Sequence, residues 1–165
     1  MTHVLMVLSG ARVWTLKDGT EHPTGFWAEE FIAPYDIFTE AGYDITVATP
    51  GGVKPVVDEI SLSISGGTDP LSAKKLKSRL AELSDVLENP ADLHDQNEED
   101  YDLVFYPGGH GPMEDELVAR GLDYDKGLLP FTPHVVVDGN LYTGQNPQSS
   151  KKLAKTLVEA LGEQG

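Results

Sequence analysis

The sequence predicts an α/β domain built on a mostly parallel sheet, and three observations support that prediction. Residues 4–8 form an uninterrupted apolar run that ends at Ser9-Gly10, which is typical of a central strand covered on both faces. The segment that follows has the apolar periodicity of a helix, and residues 43–49 form a second β-rich run. A strand, a helix and a strand in this order predict a right-handed βαβ unit.

The remaining elements follow from turn signals and apolar spacing. We predict strands near 3–9, 44–49, 103–107, 134–138 and 141–144, and main helices near 25–41, 71–88 and 148–161. Thr24 is expected to cap the first helix and Gly42 to end it. Residues 12–23 are expected to form a loop, and 56–64 a short extended piece. No repeat or second domain is visible, so 1–165 is predicted to be one three-layer domain.

Composition narrows the possible functions. The formal net charge is −15, which argues against nucleic acid and anionic membrane surfaces as partners because both are polyanions. The sequence has no cysteine, which excludes disulfides, a thiolate nucleophile and Cys-ligated metal. No apolar run approaches the roughly 18 residues of a membrane helix, and no leader-like segment is seen. We therefore expect a cytoplasmic protein.

One carboxyl breaks the pattern of the first helix. At about 100° per residue, Trp27, Phe31 and Phe38 share a broad apolar arc, and Glu30 falls inside that arc. One interpretation is a Glu at the edge of the arc that reaches water or a cap. The other is a buried carboxyl with a raised pKa, which is a general acid/base candidate. The pattern alone leaves both open.

The stretch from Tyr101 to Met113 is the second candidate. Its apolar residues 103–106 stop at Pro107 and are followed by Gly108, Gly109, His110 and a further glycine. Glycine amides after a strand can bind an anion or an oxyanion, although the same residues can form a plain tight turn. The carboxyl end of a strand is where open α/β sheets place ligand sites.

The five histidines give little sign of a metal site, because no pair has the i, i+4 helical spacing. A site built from His22, Glu30 and His110 is conceivable, since all three could lie at the same sheet edge. We predict neither a metal nor a cofactor.

Several motifs are informative when taken together: Asp18-Gly-Thr-Glu-His-Pro-Thr-Gly25, Trp27-Ala-Glu-Glu30, Val47-Ala-Thr-Pro-Gly-Gly52, Tyr106-Pro-Gly-Gly-His-Gly-Pro-Met113 and Val137-Asp-Gly-Asn-Leu-Tyr-Thr-Gly-Gln-Asn-Pro147. Jointly they resemble the ThiJ/PfpI superfamily, also described as class I glutamine amidotransferase-like, and within it the glyoxalase III and heat-shock chaperone branch. The resemblance implies a flavodoxin-like sandwich, usually dimeric, and cofactor-free conversion of methylglyoxal to lactate of the D-lactate dehydratase type. Chaperone and deglycase activities are also implied for some members.

The resemblance also implies site residues. The family pairs a nucleophilic Cys with a helix-borne Glu, and Glu30 matches that Glu by its position four residues before Pro34. Gly108, Gly109 and His110 match the loop that supplies backbone donors. The sequence departs from the family after Met113, where the strand with the Cys, the helix after it and a further strand are missing. The chain is therefore similar to a member shortened internally near 113/114.

Three functions follow as expectations. The first is a glyoxalase III-like enzyme acting on a small aldehyde, impaired because the Cys is absent. The second is a non-catalytic chaperone-like or partner-binding module. Loss of a central strand exposes a sheet edge, so we expect a homodimer or larger species, with strand swapping as one route. The third is an engineered or gene-model deletion of an active enzyme.

Overall fold

The computed structural model describes residues 1–15, 18–108, 133, 135–138, 141–144 and 146–162. They belong to two compact units, residues 1–109 and 110–165, which are considered separately. Gly109, His110, His134 and the junction near 113/114 lie outside the described residues. The single-domain organisation and the internal shortening therefore stay predictions.

A parallel sheet organises the first unit. The described strands of this unit are β1 (His3–Val7), β2 (Val13–Thr15), β3 (Glu21–Pro23), β4 (Asp44–Thr49), β5 (Ala91–Asp92) and β6 (Leu103–Phe105). Four of them form one sheet in the order β5-β4-β1-β6, and every pairing in it is parallel. The prediction of a mostly parallel α/β sheet is confirmed, although β1 and β6 end two residues earlier than expected.

The central strand β1 is buried on both faces. Successive side chains of a strand point to opposite faces, and Val4, Leu5, Met6 and Val7 are each at most 7% exposed. On one face, Leu5 and Val7 pack with Ala48 and with partly buried side chains that follow β4 in the chain. This burial explains the continuous apolar run that marks the strand in the sequence.

The first helix, α1 (Ala28–Glu40), packs on the sheet. Its buried residues are Ala28, Phe31, Ile32, Ala33, Pro34 and Phe38. The Phe38 ring meets the Phe105 ring edge-on, with centroids 5.6 Å apart. Gly42 follows the helix with φ of 77°, a backbone conformation that glycine adopts at least cost, so its predicted role is confirmed. The predicted cap Thr24 is wrong, because the N-cap residue is Trp27.

The predicted helix 71–88 is two helices, α2 (Pro70–Glu82) and α3 (Ser84–Glu88). Asp69 caps α2 by accepting from the amides of Leu71 and Ser72 at 2.9 and 3.1 Å. The backbone leaves the helical region at Leu83, with φ of −90° and ψ of 12°. Leu83 and Leu87 are buried, whereas no residue of α2 is, so the break lets the apolar end turn into the core.

Two segments contain secondary structure that the sequence does not predict. The predicted loop 12–23 contains β2 and β3, which pair antiparallel in the register Val13 to Pro23. The predicted extended piece 56–64 is extended only near Val57, which pairs with Phe26 in a parallel bridge. Residues 59–62 and 64–66 form 3-10 turns instead. Neither a short hairpin nor a 3-10 turn has a strong apolar period, which is why the sequence pattern does not show them.

The second unit contains the predicted hairpin and the predicted last helix. Its strands β7 (Val135–Asp138) and β8 (Leu141–Gly144) pair antiparallel, and α4 (Ser150–Gly162) follows a 3-10 turn at 147–149. Asn146 caps that turn through a hydrogen bond from the Ser149 amide at 3.1 Å. Across the described parts of both units, no helix combines the length and the apolar character needed to cross a bilayer.

Candidate functional site

The point where the strand order of the main sheet reverses lies between β1 and β6. From β1 the chain crosses to β4 and β5 on one side, and it returns to place β6 on the other side. Such switch points open a crevice at the carboxyl ends of the strands, where α/β proteins bind ligands. Tyr106, Pro107 and Gly108 follow β6 directly at this edge.

The start of α1 is hydrogen-bonded to the same edge. Trp27 is the N-cap residue, and its amide donates to the carbonyl oxygen of Gly108 at 3.4 Å. Glu29 and Glu30 occupy the first turn of the helix. The glycine after β6 and the carboxyl on α1, which the sequence singled out independently, are therefore neighbours in the structure.

The Glu30 carboxyl is largely withdrawn from water. Its Oε2 atom is buried and has no hydrogen-bond partner within the described part of the chain. Loss of hydration raises the pKa of Glu30 from 4.5 to about 7, and the negative charge of Glu29 makes a smaller contribution in the same direction. Of the two interpretations of Glu30 from the sequence, the structure therefore supports the buried carboxyl.

Gly108 leaves the space that this carboxyl occupies. A Cβ atom added to Gly108 would lie 2.8 Å from Oε2 and 3.5 Å from the Cδ of Glu30. Because real Cβ contacts are essentially never this short, any other residue at 108 would displace the carboxyl. The close approach, rather than a left-handed backbone, is what requires glycine here.

A carboxyl with a pKa near neutral has a defined chemical capability. Close to pH 7 it is present in both protonated and ionised forms, so it can give a proton to a reacting group or take one from it. A buried, uncompensated oxygen is also an attractive hydrogen-bond partner for a small polar ligand. The arrangement is suited to acid–base chemistry or to binding of a small carbonyl or hydroxyl compound.

Of the other predicted site residues, His22 alone lies in the part of the chain that the structure describes. Gly109 and His110 lie outside the described residues, so their predicted contributions stay predictions. His22 lies exposed on β3, and its Nδ1 is 2.7 Å from the carbonyl oxygen of Pro23. The structure describes no hydrogen bond between His22 and Glu30. Among the described residues no cluster of His, Asp and Glu is arranged to hold a metal.

One residue next to the site escaped the sequence prediction. The hydroxyl of Ser61 is fully buried and accepts a hydrogen bond from the Ala28 amide at 3.1 Å, at the first position of α1. The donor and acceptor are 33 residues apart. No local pattern marks such a long-range cap, since capping rules search only the residues adjoining the helix.

The fold and the pair of Glu30 and Gly108 define the class of protein. It is a flavodoxin-like α/β protein with a buried carboxyl at the ligand-binding edge of its sheet. The chain belongs to the ThiJ/PfpI family. A model described as ThiJ/PfpI family-like matches residues 22–155, a range that includes α1 and β6.

Sequence relatives point to the same branch. The chain is 31% identical over 128 residues to the protein/nucleic acid deglycase HchA of Staphylococcus aureus strain bovine RF122 / ET3-1. It is 32% identical over 136 residues to the protein of the same name from strain JH9. Each match covers 73% of this chain and 42% of the relative, so the chain spans about two fifths of these relatives' length.

Solved structures agree on the fold. The Rapid Encystment Protein 24 KDa of Francisella tularensis is similar with a TM-score of 0.78 and 20% identity, covering 98% of this chain and 99% of that one. Glyoxalase III of Candida albicans is similar with a TM-score of 0.74 and 19% identity, covering 96% and 97%. These two likenesses establish a shared fold.

Proposed function

We propose that this protein holds the acid–base half of a glyoxalase III-like site and binds a small aldehyde or hydroxycarbonyl compound without turning it over efficiently. The observation that carries the proposal is the buried Glu30 carboxyl packed against Gly108. The relatives named as deglycases and the glyoxalase III fold support this substrate class. His110 and Gly109 belong to the proposed site through the family motif.

The proposed impairment has a chemical cause. The resemblance to the family implies a nucleophilic Cys in the catalytic unit, and this sequence contains no cysteine. Ser149 and Ser150 do not substitute. Both are buried, at the end of the 3-10 turn and at the start of α4, and the Ser149 hydroxyl donates to Oδ1 of Asn146 at 3.0 Å. Without a nucleophile, any remaining rate rests on binding and proton transfer alone.

The test of catalysis measures lactate formed from methylglyoxal. The native chain is compared with Glu30→Gln and with Glu40→Gln, which changes an exposed carboxyl at the other end of the same helix. We expect no Glu30-dependent rate above the reaction in buffer. Turnover at rates typical of active family members, lost in Glu30→Gln and kept in Glu40→Gln, would show that the site is intact without a thiol.

The test of binding uses hydroxyacetone, a stable analogue that lacks the reactive aldehyde. Titration followed by amide NMR is expected to shift the Gly108 signal in the native chain and in Glu40→Gln, and much less in Glu30→Gln. If Gly108 does not respond to millimolar hydroxyacetone, the proposed binding site is wrong even if the fold and the family assignment stand.

A second candidate, a self-associating non-catalytic module, is favoured by the edge of the sheet. Within the described residues β6 pairs with β1 alone, and Val104 and Tyr106 are 37% and 56% exposed. An unpaired edge with exposed apolar side chains can add a strand from a second copy. We expect a dimer by light scattering that Val104→Lys weakens, whereas a monomer at all micromolar concentrations would contradict this candidate.

The internal shortening near 113/114 remains part of the proposal. The family match extends to both sides of that point, so the residues before it and after it both belong to the family domain. Comparing the genomic reading frame with the expressed protein distinguishes a natural short member from an engineered or gene-model deletion. An uninterrupted frame that joins residues 113 and 114 supports a natural member.

A further inference from the structure

The helix that carries Glu30 is capped by a distant residue. The side chain of the N-cap residue Trp27 makes no capping hydrogen bond. The Ala28 amide, the first of α1, donates instead to the hydroxyl of Ser61 at 3.1 Å. The first amides of a helix need such partners, because no carbonyl of the helix can reach them. The start of α1 therefore depends on the segment of residues 56–68, called the 56–68 loop below.

Ser61 is itself held in one orientation. Its hydroxyl is fully buried and donates to the carbonyl oxygen of Asp58 at 2.6 Å. The carbonyl oxygen of Ser61 accepts from the hydroxyl of Thr68 at 2.8 Å. With its proton committed to Asp58, the hydroxyl presents a lone pair to the Ala28 amide. This network leaves the cap little freedom to rotate.

The same loop also fixes the two residues before Ala28. The Phe26 amide donates to the Val56 carbonyl and its carbonyl accepts from the Asp58 amide, both at 2.9 Å. A Cβ added to Gly66 would lie 3.2 Å from the indole ring of Trp27, so the loop backbone packs close to that ring. Three consecutive residues, 26–28, are thus anchored to the 56–68 loop immediately before Glu30.

Trp27 links the 56–68 loop to the candidate site. The Trp27 amide donates to the Gly108 carbonyl, and Glu30 lies in the helical turn that Trp27 begins. We propose that Ser61 is a positioning residue for Glu30: by capping α1 it holds the Glu30 carboxyl against Gly108 and away from water. The inference rests on the proposed function only in taking Glu30 as the functional carboxyl.

Charged groups on the surrounding elements define what a pH measurement reports. Glu29 lies beside Glu30 on α1, Asp58 and Glu59 belong to the 56–68 loop, and Tyr106 follows β6. Asp58 accepts a hydrogen bond from the Ile60 amide at 2.9 Å, within its own loop. Glu29 raises the pKa of Glu30 by its charge, after the larger effect of burial. A substitution that admits water should therefore lower the pKa of Glu30, mainly because the carboxyl regains hydration.

The experiment measures the titration of Glu30 in the full chain by carbon NMR of glutamate side chains. The Glu30 signal is identified by its loss in Glu30→Gln. In Ser61→Ala we expect the midpoint to fall by about one pKa unit or more toward the ordinary value, because the released turn admits water. Ser61→Cys, which is slightly larger and a weaker acceptor, should give a smaller fall and guards against a failure to fold.

Ser63→Ala is the matched control. The Ser63 hydroxyl bonds to the Ile60 carbonyl and to Ser65, both at 2.7 Å and within the same loop. Its removal should leave the Glu30 midpoint unchanged. An unchanged midpoint in both Ser61 variants, or an equal fall in Ser63→Ala, would mean that Ser61 only stabilises the fold.

The readout separates this inference from the proposed function. The titration of Glu30 needs neither substrate nor turnover, so it tests Ser61 even if no aldehyde binds. Conversely, suppose that Ser61→Ala still binds hydroxyacetone and that its Glu30 midpoint equals that of the native chain. This result would retain the proposed site and overturn the positioning role of Ser61.

Discussion

The Glu30 carboxyl lies close to the Gly108 backbone, although the two residues are 78 positions apart in the sequence (108 minus 30). An added Cβ at Gly108 would come within 2.8 Å of Oε2, and Oε2 has no hydrogen-bond partner among the described residues. Burying an oxygen without a partner destabilises a fold. Protonation of the carboxyl reduces this cost, and the raised pKa of Glu30 favours the protonated form.

The first prediction concerns stability against pH. The folded pKa of Glu30 is raised from 4.5 to about 7. Between these values the folded state holds a proton that the unfolded state has lost, so the free energy of unfolding falls as the pH rises through this window. The total loss is at most about 3 kcal/mol, at 1.36 kcal/mol per pKa unit. Urea unfolding from pH 4 to pH 8 measures it.

Two variants isolate that effect. Glu30→Gln cannot ionise, so its stability relative to the native chain should rise between pH 4.5 and about 7 and stay constant above. Glu40→Gln, on the exposed last turn of α1, should follow the native profile. Parallel profiles for Glu30→Gln and the native chain would mean that the carboxyl is not desolvated.

The second prediction concerns Gly108→Ala. The new Cβ would meet the end of a flexible side chain, so the carboxyl can move aside and the stability loss should be no more than about 1 kcal/mol. The displaced carboxyl should reach water, and its pKa should fall toward 4.5. Gly162→Ala, where an added Cβ meets nothing within 4 Å, is the control. A midpoint unchanged by Gly108→Ala would contradict the contact.

The sequence predicted those parts of the fold that depend on local patterns. The apolar run 4–8, the arc of α1 and Gly42 each follow from a period or a backbone preference that adjoining residues determine. The cap of α2 is local in the same way, since Asp69 directly precedes the helix and accepts from its first amides. Glu30 was recognisable because a carboxyl inside an apolar arc conflicts with the local pattern.

The rest depended on contacts between distant segments. Ser61 caps α1 from 33 residues away, and no rule applied to residues 24–28 can identify it. The break at Leu83 follows from burial of Leu83 and Leu87 in the core, whereas the leucine spacing alone is that of one helix. The contact between Glu30 and Gly108 required the strand order β5-β4-β1-β6, which local sequence does not determine.

The third prediction concerns the ion pair that joins the first two helices. Both the Nε and an Nη atom of Arg79 on α2 donate to Oδ1 of Asp36 on α1, at 3.0 and 2.8 Å. The side chains are 33% and 37% exposed, so solvent screens the pair. A double-mutant cycle with Asp36→Ala and Arg79→Ala should give a coupling of about 0.2–1 kcal/mol. The coupling should decrease in 1 M salt, and a salt-independent value would contradict a screened pair.

The fourth prediction compares two glycines with similar close contacts but different neighbours. A Cβ added to Gly25 would lie 2.2 Å from the Val56 carbonyl oxygen and 2.8 Å from the Asp58 amide nitrogen, which are backbone atoms. One added to Gly10 would lie 2.5 Å from a methyl group of Val53, which can rotate away. Gly25→Ala should therefore cost about 2–3 kcal/mol and Gly10→Ala less than about 1 kcal/mol in urea unfolding.

Gly25→Ala should also affect the candidate site, because Val56 and Asp58 hold the backbone of Phe26 at the entrance to α1. Pushing the 56–68 loop away would weaken the capping bond from Ala28 to Ser61 and expose Glu30. The Glu30 midpoint should fall in Gly25→Ala and stay unchanged in Gly10→Ala, as measured by carbon NMR. If Gly25→Ala unfolds the protein at 25 °C, the titration is made in the presence of sucrose, which favours the compact state. Equal stability of the two variants would show that the loop backbone yields as easily as a valine side chain.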